Sequence, residues 1–107
     1  MKIKVADYLA KRIAEAGVRH VFMISGGGAM HLNDAIGRNK DLEYVCNHHE
    51  QACAIAVEGY SRTTGNLGVA IVTSGPGGTN TLTGVLGLWL DSIPGMFISG
   101  QIKYGTT

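Results

Sequence analysis

Two stretches of this chain carry residue types that could do chemistry: His48-His49-Glu50-Gln51 and the glycine turn Thr73-Ser74-Gly75-Pro76-Gly77. A carboxylate can accept hydrogen bonds, hold a cation or exchange a proton. A glycine turn lets the backbone approach a ligand closely. Glu50 opens a predicted helix of small residues, the helix leads to a strand, and the strand ends in the glycine turn. One carboxylate is thereby set beside a concave backbone surface. A glutamate at a helix N-terminus has an ordinary role there, stabilised by the helix dipole. Its sequence neighbours Val45, Cys46, Ala52, Cys53 and Ala54, however, predict an apolar setting for a surface cap. Burial would raise the pKa of Glu50 and the helix terminus would lower it. A carboxyl group between those two effects suits proton exchange with a ring nitrogen. Glu58, near Gly59 and Arg62, reads as an ordinary helix residue.

Other chemistries fit less well. A Walker loop needs Gly-x-x-x-x-Gly-Lys-Ser/Thr, because the lysine reaches the phosphates and the hydroxyl holds magnesium. Neither glycine turn has that lysine. The dinucleotide fingerprint fails as well: Gly26-x-Gly28 would need glycine where His31 stands, and Gly75-x-Gly77 would need it where Asn80 stands. Cys46, His48, His49 and Cys53 contain a pair four apart on a helix, His49 and Cys53, that could share a face. No second ligand pair at zinc spacing follows. Free cysteines acting as small hydrophobes are the better account, and no metal ligand is assigned.

The bulk composition narrows the class. At 107 residues the chain is at most one small domain, 1–107, and it shows no internal linker. Hydrophobic residues make up 45% and charged residues 16%, with a net charge of +1 and scattered basic residues. A nucleic-acid partner gains no support from that pattern. The uncharged stretch between Arg62 and Asp91 is interrupted by seven glycines, Pro76 and Asn80, so it reads as a buried core segment and not a membrane span. No secretory signal is visible, and two cysteines make no disulfide framework; a reduced, cytoplasmic compartment fits.

The elements that must position these residues follow from periodicity. Val5, Leu9, Ile13 and Ala16 recur at helical spacing, and Gly17 stops that helix. Helices are also predicted over Ala29 to Ile36, from Glu50 to Gly65, and over Thr79 to Leu90. Short strands are predicted at His20 to Ile24, Leu42 to Cys46, Gly68 to Thr73 and Met96 to Ser99. This αβαβαβαβ order with short connections predicts a three-layer α/β/α domain on a mainly parallel sheet. Ligands of such folds sit beyond the carboxyl ends of the strands. The chain ends at Gln101-Ile102-Lys103-Tyr104-Gly105-Thr106-Thr107 with no helix to cover the last strand, so the domain is expected to be truncated at its C-terminus.

Several segments, in order, carry a resemblance. These are Gly17-Val18-Arg19-His20-Val21-Phe22, His49-Glu50-Gln51, Gly59-Tyr60-Ser61-Arg62-Thr63-Thr64-Gly65 and Thr73-Ser74-Gly75-Pro76-Gly77-Gly78-Thr79-Asn80. Thr83-Gly84, Asp91-Ser92-Ile93-Pro94 and Ser99-Gly100-Gln101 complete the set. Together they resemble the N-terminal, pyrimidine-binding domain of thiamine-diphosphate enzymes of the acetolactate synthase and pyruvate oxidase group.

The resemblance implies that Glu50 is catalytic: it would hydrogen-bond the ring nitrogen of the aminopyrimidine, favour the imino tautomer and so assist removal of the thiazolium proton. It implies that Thr73, Gly75, Pro76 and Asn80 line the pyrimidine pocket, that Ser25, Gly26 and Gly27 approach from the neighbouring crevice, and that Gln101 faces the substrate channel. The implied substrate is a 2-keto acid, pyruvate first, whose two-carbon unit passes to an acceptor. The implied Mg²⁺ and diphosphate sites lie on a domain outside this chain, contributed by a partner subunit of a homodimer or homotetramer. Alone, the 107 residues are expected to be inactive. Any FAD site would also lie outside them. Where the family has Gly-x-Pro-Gly-Gly, this chain has Met23-Ile24-Ser25-Gly26-Gly27, and His48 stands where arginine is common. Both departures spare Glu50 and bear on the acceptor, for which a sugar is an alternative. The rival from another class is a non-catalytic module that keeps the fold for binding or assembly.

Overall fold

In the computed structural model, which describes residues 2–106, four strands form one sheet: β1 (His20–Met23), β2 (Glu43–Cys46), β3 (Gly68–Val72) and β4 (Gly95–Ser99). All pairings are parallel, in the order β2-β1-β3-β4. The helices are α1 (Val5–Glu15), α2 (Met30–Arg38), α3 (Glu50–Thr64), α4 (Pro76–Thr79) and α5 (Leu82–Leu90).

Strand alternation decides which helices cover which face. Val21 and Met23 of β1 and Val69 and Ile71 of β3 pack with Ala10 and Ile13 of α1 and Ala35 and Ile36 of α2. Phe22 and Ala70, of opposite parity, meet Cys53 and Val57 of α3 and Leu88 of α5. The domain is therefore α/β/α in three layers, as its sequence predicts. β3 is buried along its whole length, which accounts for its unbroken apolar run.

The strand order also locates a crevice. From β1 the chain passes through α2 to reach β2 on one side; from β2 it passes through α3, on the opposite face, to reach β3. The winding reverses between β1 and β3, and the connections leaving those strands diverge to opposite faces. Such a switch point opens a crevice at the carboxyl ends of the two strands.

Helix α3 begins at Glu50 because His49 is extended (φ −155°, ψ 143°) and its Nδ1 accepts the Gln51 N–H at 3.0 Å. It ends at Gly65, whose φ of +73° suits a residue without Cβ. α3 and α5 pack closely: a Cβ on Gly84 would lie 2.3 Å from Ala54 Cβ. The opposite side of α5 leaves Leu82, Leu86, Trp89 and Leu90 exposed.

One helix differs from the sequence-based expectation. The span from Thr79 to Leu90 is not a single helix; α4 stops at Thr79 and α5 starts at Leu82. Asn80 and Thr81 stay right-handed, but ψ is −10° at both, which loosens the helical ladder. Thr81 Oγ1 donates back to the Gly78 carbonyl at 2.6 Å, a local bond that competes with helix continuation. Asn80 therefore sits at a break, where its side chain is not committed to a helix surface.

Candidate active site

Every residue that the resemblance assigns to the site lies beyond the carboxyl end of a parallel strand. Ser25, Gly26 and Gly27 follow β1, Glu50 follows β2, Thr73 to Asn80 follow β3, and Gln101 follows β4. Parallel strands in one sheet end on one side, so four connections meet there.

Glu50 and Asn80 are joined directly. Asn80 Nδ2 donates to Glu50 Oε1 at 3.0 Å. This bond, and then the glutamate's own backbone N–H, hold the carboxyl below its ordinary value of 4.5 against the opposing effect of burial, with the neighbouring His49 adding the smallest contribution. The apolar setting inferred from neighbours in the sequence is not what surrounds Glu50. Val45, Cys46 and Ala52 are exposed, and only Cys53 and Ala54 turn into the core. Residues adjacent along a helix point in different directions, so sequence proximity overstated the contact. Glu50 is an ionised carboxylate at a helix start, half-buried and held by an amide.

A second group of contacts surrounds Thr73. The Gly28 N–H donates to Thr73 Oγ1 at 3.1 Å, and Ser99 Oγ donates to the Thr73 carbonyl at 3.0 Å. The Gln101 N–H donates to the Gly28 carbonyl at 3.0 Å. The Gln101 side chain accepts the Ile102 N–H through Oε1 at 2.8 Å. Gly75 has φ +64°, and Pro76 opens α4 at the position where a missing N–H costs least. A Cβ at Gly27 or Gly75 would meet nothing within 4 Å, so both glycines border open space.

Ser25, Gly26 and Gly27 line a shallow cavity of about 360 Å³ together with Met30 and Asn33. Asn33 was not singled out from the sequence, yet its Oδ1 accepts the Gly26 N–H at 3.4 Å and its Nδ2 approaches Met23 Sδ at 3.4 Å. Its signal was a polar residue on the stripe that also carries Ala29 and Ile36, where an apolar side chain would be expected. Ser99 was legible only as part of a motif.

The cysteine and histidine cluster does not converge. Cys53 is buried and donates its S–H to Asn47 Oδ1 at 3.3 Å, with its thiol pushed up to about 11, chiefly by burial. His49 Nδ1 is used in the α3 cap, while Cys46 and His48 are exposed. Among the described residues no group of three or more His, Cys, Asp or Glu side chains is placed to hold a metal ion. Among them, too, no helix is long and apolar enough to cross a membrane.

The family profile described as "Thiamine pyrophosphate enzyme, N-terminal TPP binding domain" matches residues 3–107. The acetolactate synthase large subunit of Buchnera aphidicola subsp. Acyrthosiphon pisum is 40% identical over 97 residues, covering 91% of this chain and 17% of that protein. The large subunit of Haemophilus influenzae acetolactate synthase is 40% identical over 101 residues, covering 94% and 18%. The chloroplastic acetolactate synthase of Arabidopsis thaliana is 40% identical over 99 residues, covering 92% and 15%. The chain thus spans less than a fifth of the length of these relatives.

Proposed function

Because this chain belongs to the thiamine pyrophosphate enzyme family, as its N-terminal TPP binding domain, we propose that it forms the pyrimidine-binding half of an acetolactate-synthase-like active site. The enzyme decarboxylates a 2-keto acid, pyruvate first, and transfers the two-carbon unit to an acceptor. The observation that carries this reading is the Glu50 side chain, bonded by the Asn80 amide at the head of α3.

The residues present suit the cofactor. An ionised carboxylate offers about four acceptor positions, and Asn80 uses one. The glycines at 27 and 75 leave the backbone uncovered toward open space. Glu50 would hold the pyrimidine ring nitrogen and favour its protonated form, as an adjacent negative charge does. Thr73, Gly75, Pro76 and Asn80 would wall the ring on one side, with Ser25, Gly26 and Gly27 on the other and Gln101 toward the substrate. When bound, thiamine diphosphate supplies the electron sink for decarboxylation. This chain contributes orientation and one carboxylate that accepts the ring nitrogen's proton in a hydrogen bond.

The Mg²⁺ and diphosphate sites belong to a domain outside these residues, and any FAD site does as well. The exposed apolar side of α5 supports assembly: Trp89 is 80% exposed and Leu90 71%. On this reading the enzyme is a cytoplasmic homo-oligomer, and the diphosphate-binding domain of a partner subunit completes the site.

Glu50→Gln in the full-length enzyme tests the proposal. Exchange of the thiazolium C2 proton for deuterium should slow by about 100-fold or more, the scale of a lost proton-transfer group. Exchange at the wild-type rate, with cofactor bound, would overturn it.

A further inference from the structure

Thr73 is the residue after β3, and its side chain is enclosed by three glycines from two different connections. A Cβ built on Gly26 would lie 2.6 Å from Thr73 Cβ, and one on Gly28 would lie 2.8 Å from Oγ1. One on Gly77, in α4, would lie 2.6 Å from Cγ2. None of the three positions has room for a side chain while Thr73 keeps its place. The hydroxyl also accepts the Gly28 N–H at 3.1 Å. The main chain of the same residue takes the Ser99 hydroxyl from the end of β4.

The threonine thus has two distinct arms. Its hydroxyl grips the turn after β1, and through the Gly28 carbonyl that turn holds the Gln101 N–H. Its methyl fills the space over Gly77, one turn before Asn80 and so before the amide that holds Glu50. Serine would keep the first arm and lose the second; valine would keep the second and lose the first.

We propose that Thr73 is a positioning residue, a wedge that sets the spacing of the two walls of the switch-point crevice. It acts through Gly28 on the substrate side and through Gly77 on the Glu50 side. The link to substrate binding rests on the function proposed above; the wedge itself does not.

Hydrogen exchange and a mutant cycle on the full-length protein test it. Without added cofactor, Thr73→Val should speed amide exchange at Gly28 about tenfold or more, because a partly buried N–H loses its acceptor. Thr73→Ser should leave that amide at the wild-type rate. Equal exchange in the two variants would overturn the hydroxyl arm. For the methyl arm, Gly77→Ala should lower the unfolding temperature, and adding Thr73→Ser should recover most of the loss by removing Cγ2. Losses that simply add would overturn it. In the holoenzyme, Thr73→Val should raise the KM for the 2-keto acid at least about fivefold, with Thr73→Ser restoring it; unchanged KM in both would sever the wedge from the site. Because exchange and unfolding are read without cofactor, their outcome is independent of the Glu50→Gln result.

Discussion

Asn80 Nδ2 reaches Glu50 Oε1 across 3.0 Å, from the break between α4 and α5 to the first residue of α3. The two residues follow different strands, β2 and β3, which are not neighbours because β1 lies between them in the sheet; the contact is made by the connections beyond the strand ends. The break supplies the freedom and α3 supplies the fixed carboxylate.

Removing the amide should release the carboxyl. Asn80→Ala is expected to move the Glu50 pKa upward, toward 4.5, because the largest cause of its depression is gone. Carbon-13 NMR titration of labelled glutamate measures this directly. An unchanged titration would mean that the Asn80 contact does not hold Glu50 in solution.

The same shift has a pH consequence for stability. A carboxyl whose folded pKa lies below its unfolded value favours the fold when ionised. That contribution is complete above pH 4.5 and is lost as the pH falls through the lower, folded value. Wild-type protein should therefore lose more stability than Glu50→Gln on acidification below pH 4.5, while the gap between them stays constant above it. Urea denaturation at a series of pH values reads the difference.

Two glycines on one helix should respond differently to the same substitution. Gly84→Ala drives a methyl into Ala54, where backbone atoms also lie within 3.1 Å, and overpacking of that kind costs about 1–3 kcal/mol. At Gly87 the obstacle is Glu58 Oε1, the end of a flexible side chain. Gly87→Ala gains up to about 1 kcal/mol of helix propensity to set against moving that carboxylate. Denaturation should show a clear loss for the first variant and little change or a gain for the second.

The two thiols should be separable by reactivity. Cys46 is exposed; Cys53 is buried, bonded to Asn47 and raised to about 11. Only the thiolate alkylates readily. Iodoacetamide at pH 8 is expected to modify Cys46 in the native protein and Cys53 only after unfolding, with mass spectrometry locating the label. Comparable rates would contradict the placement of Cys53.

The element order, the parallel three-layer architecture and the position of Glu50 at a helix start were all legible in the order of residues. Each depends on short-range patterns: apolar runs for strands, helical spacing for α1 and α3, glycine at the stops. The motifs around Glu50 and Pro76 likewise pointed to the family. Three features were not legible. The break after Thr79 depends on Thr81 bonding back to Gly78, a local competition that periodicity does not register. The surroundings of Glu50 depend on which way its neighbours turn, and three of the five turn outward. The use made of Thr73 and Asn80 depends on strand order, because Gly28 and Glu50 are distant in sequence and become neighbours only when the sheet assembles. Periodicity reports on residues within a turn or two of one another; hydrogen bonds between connections exist only after the strands have taken their places.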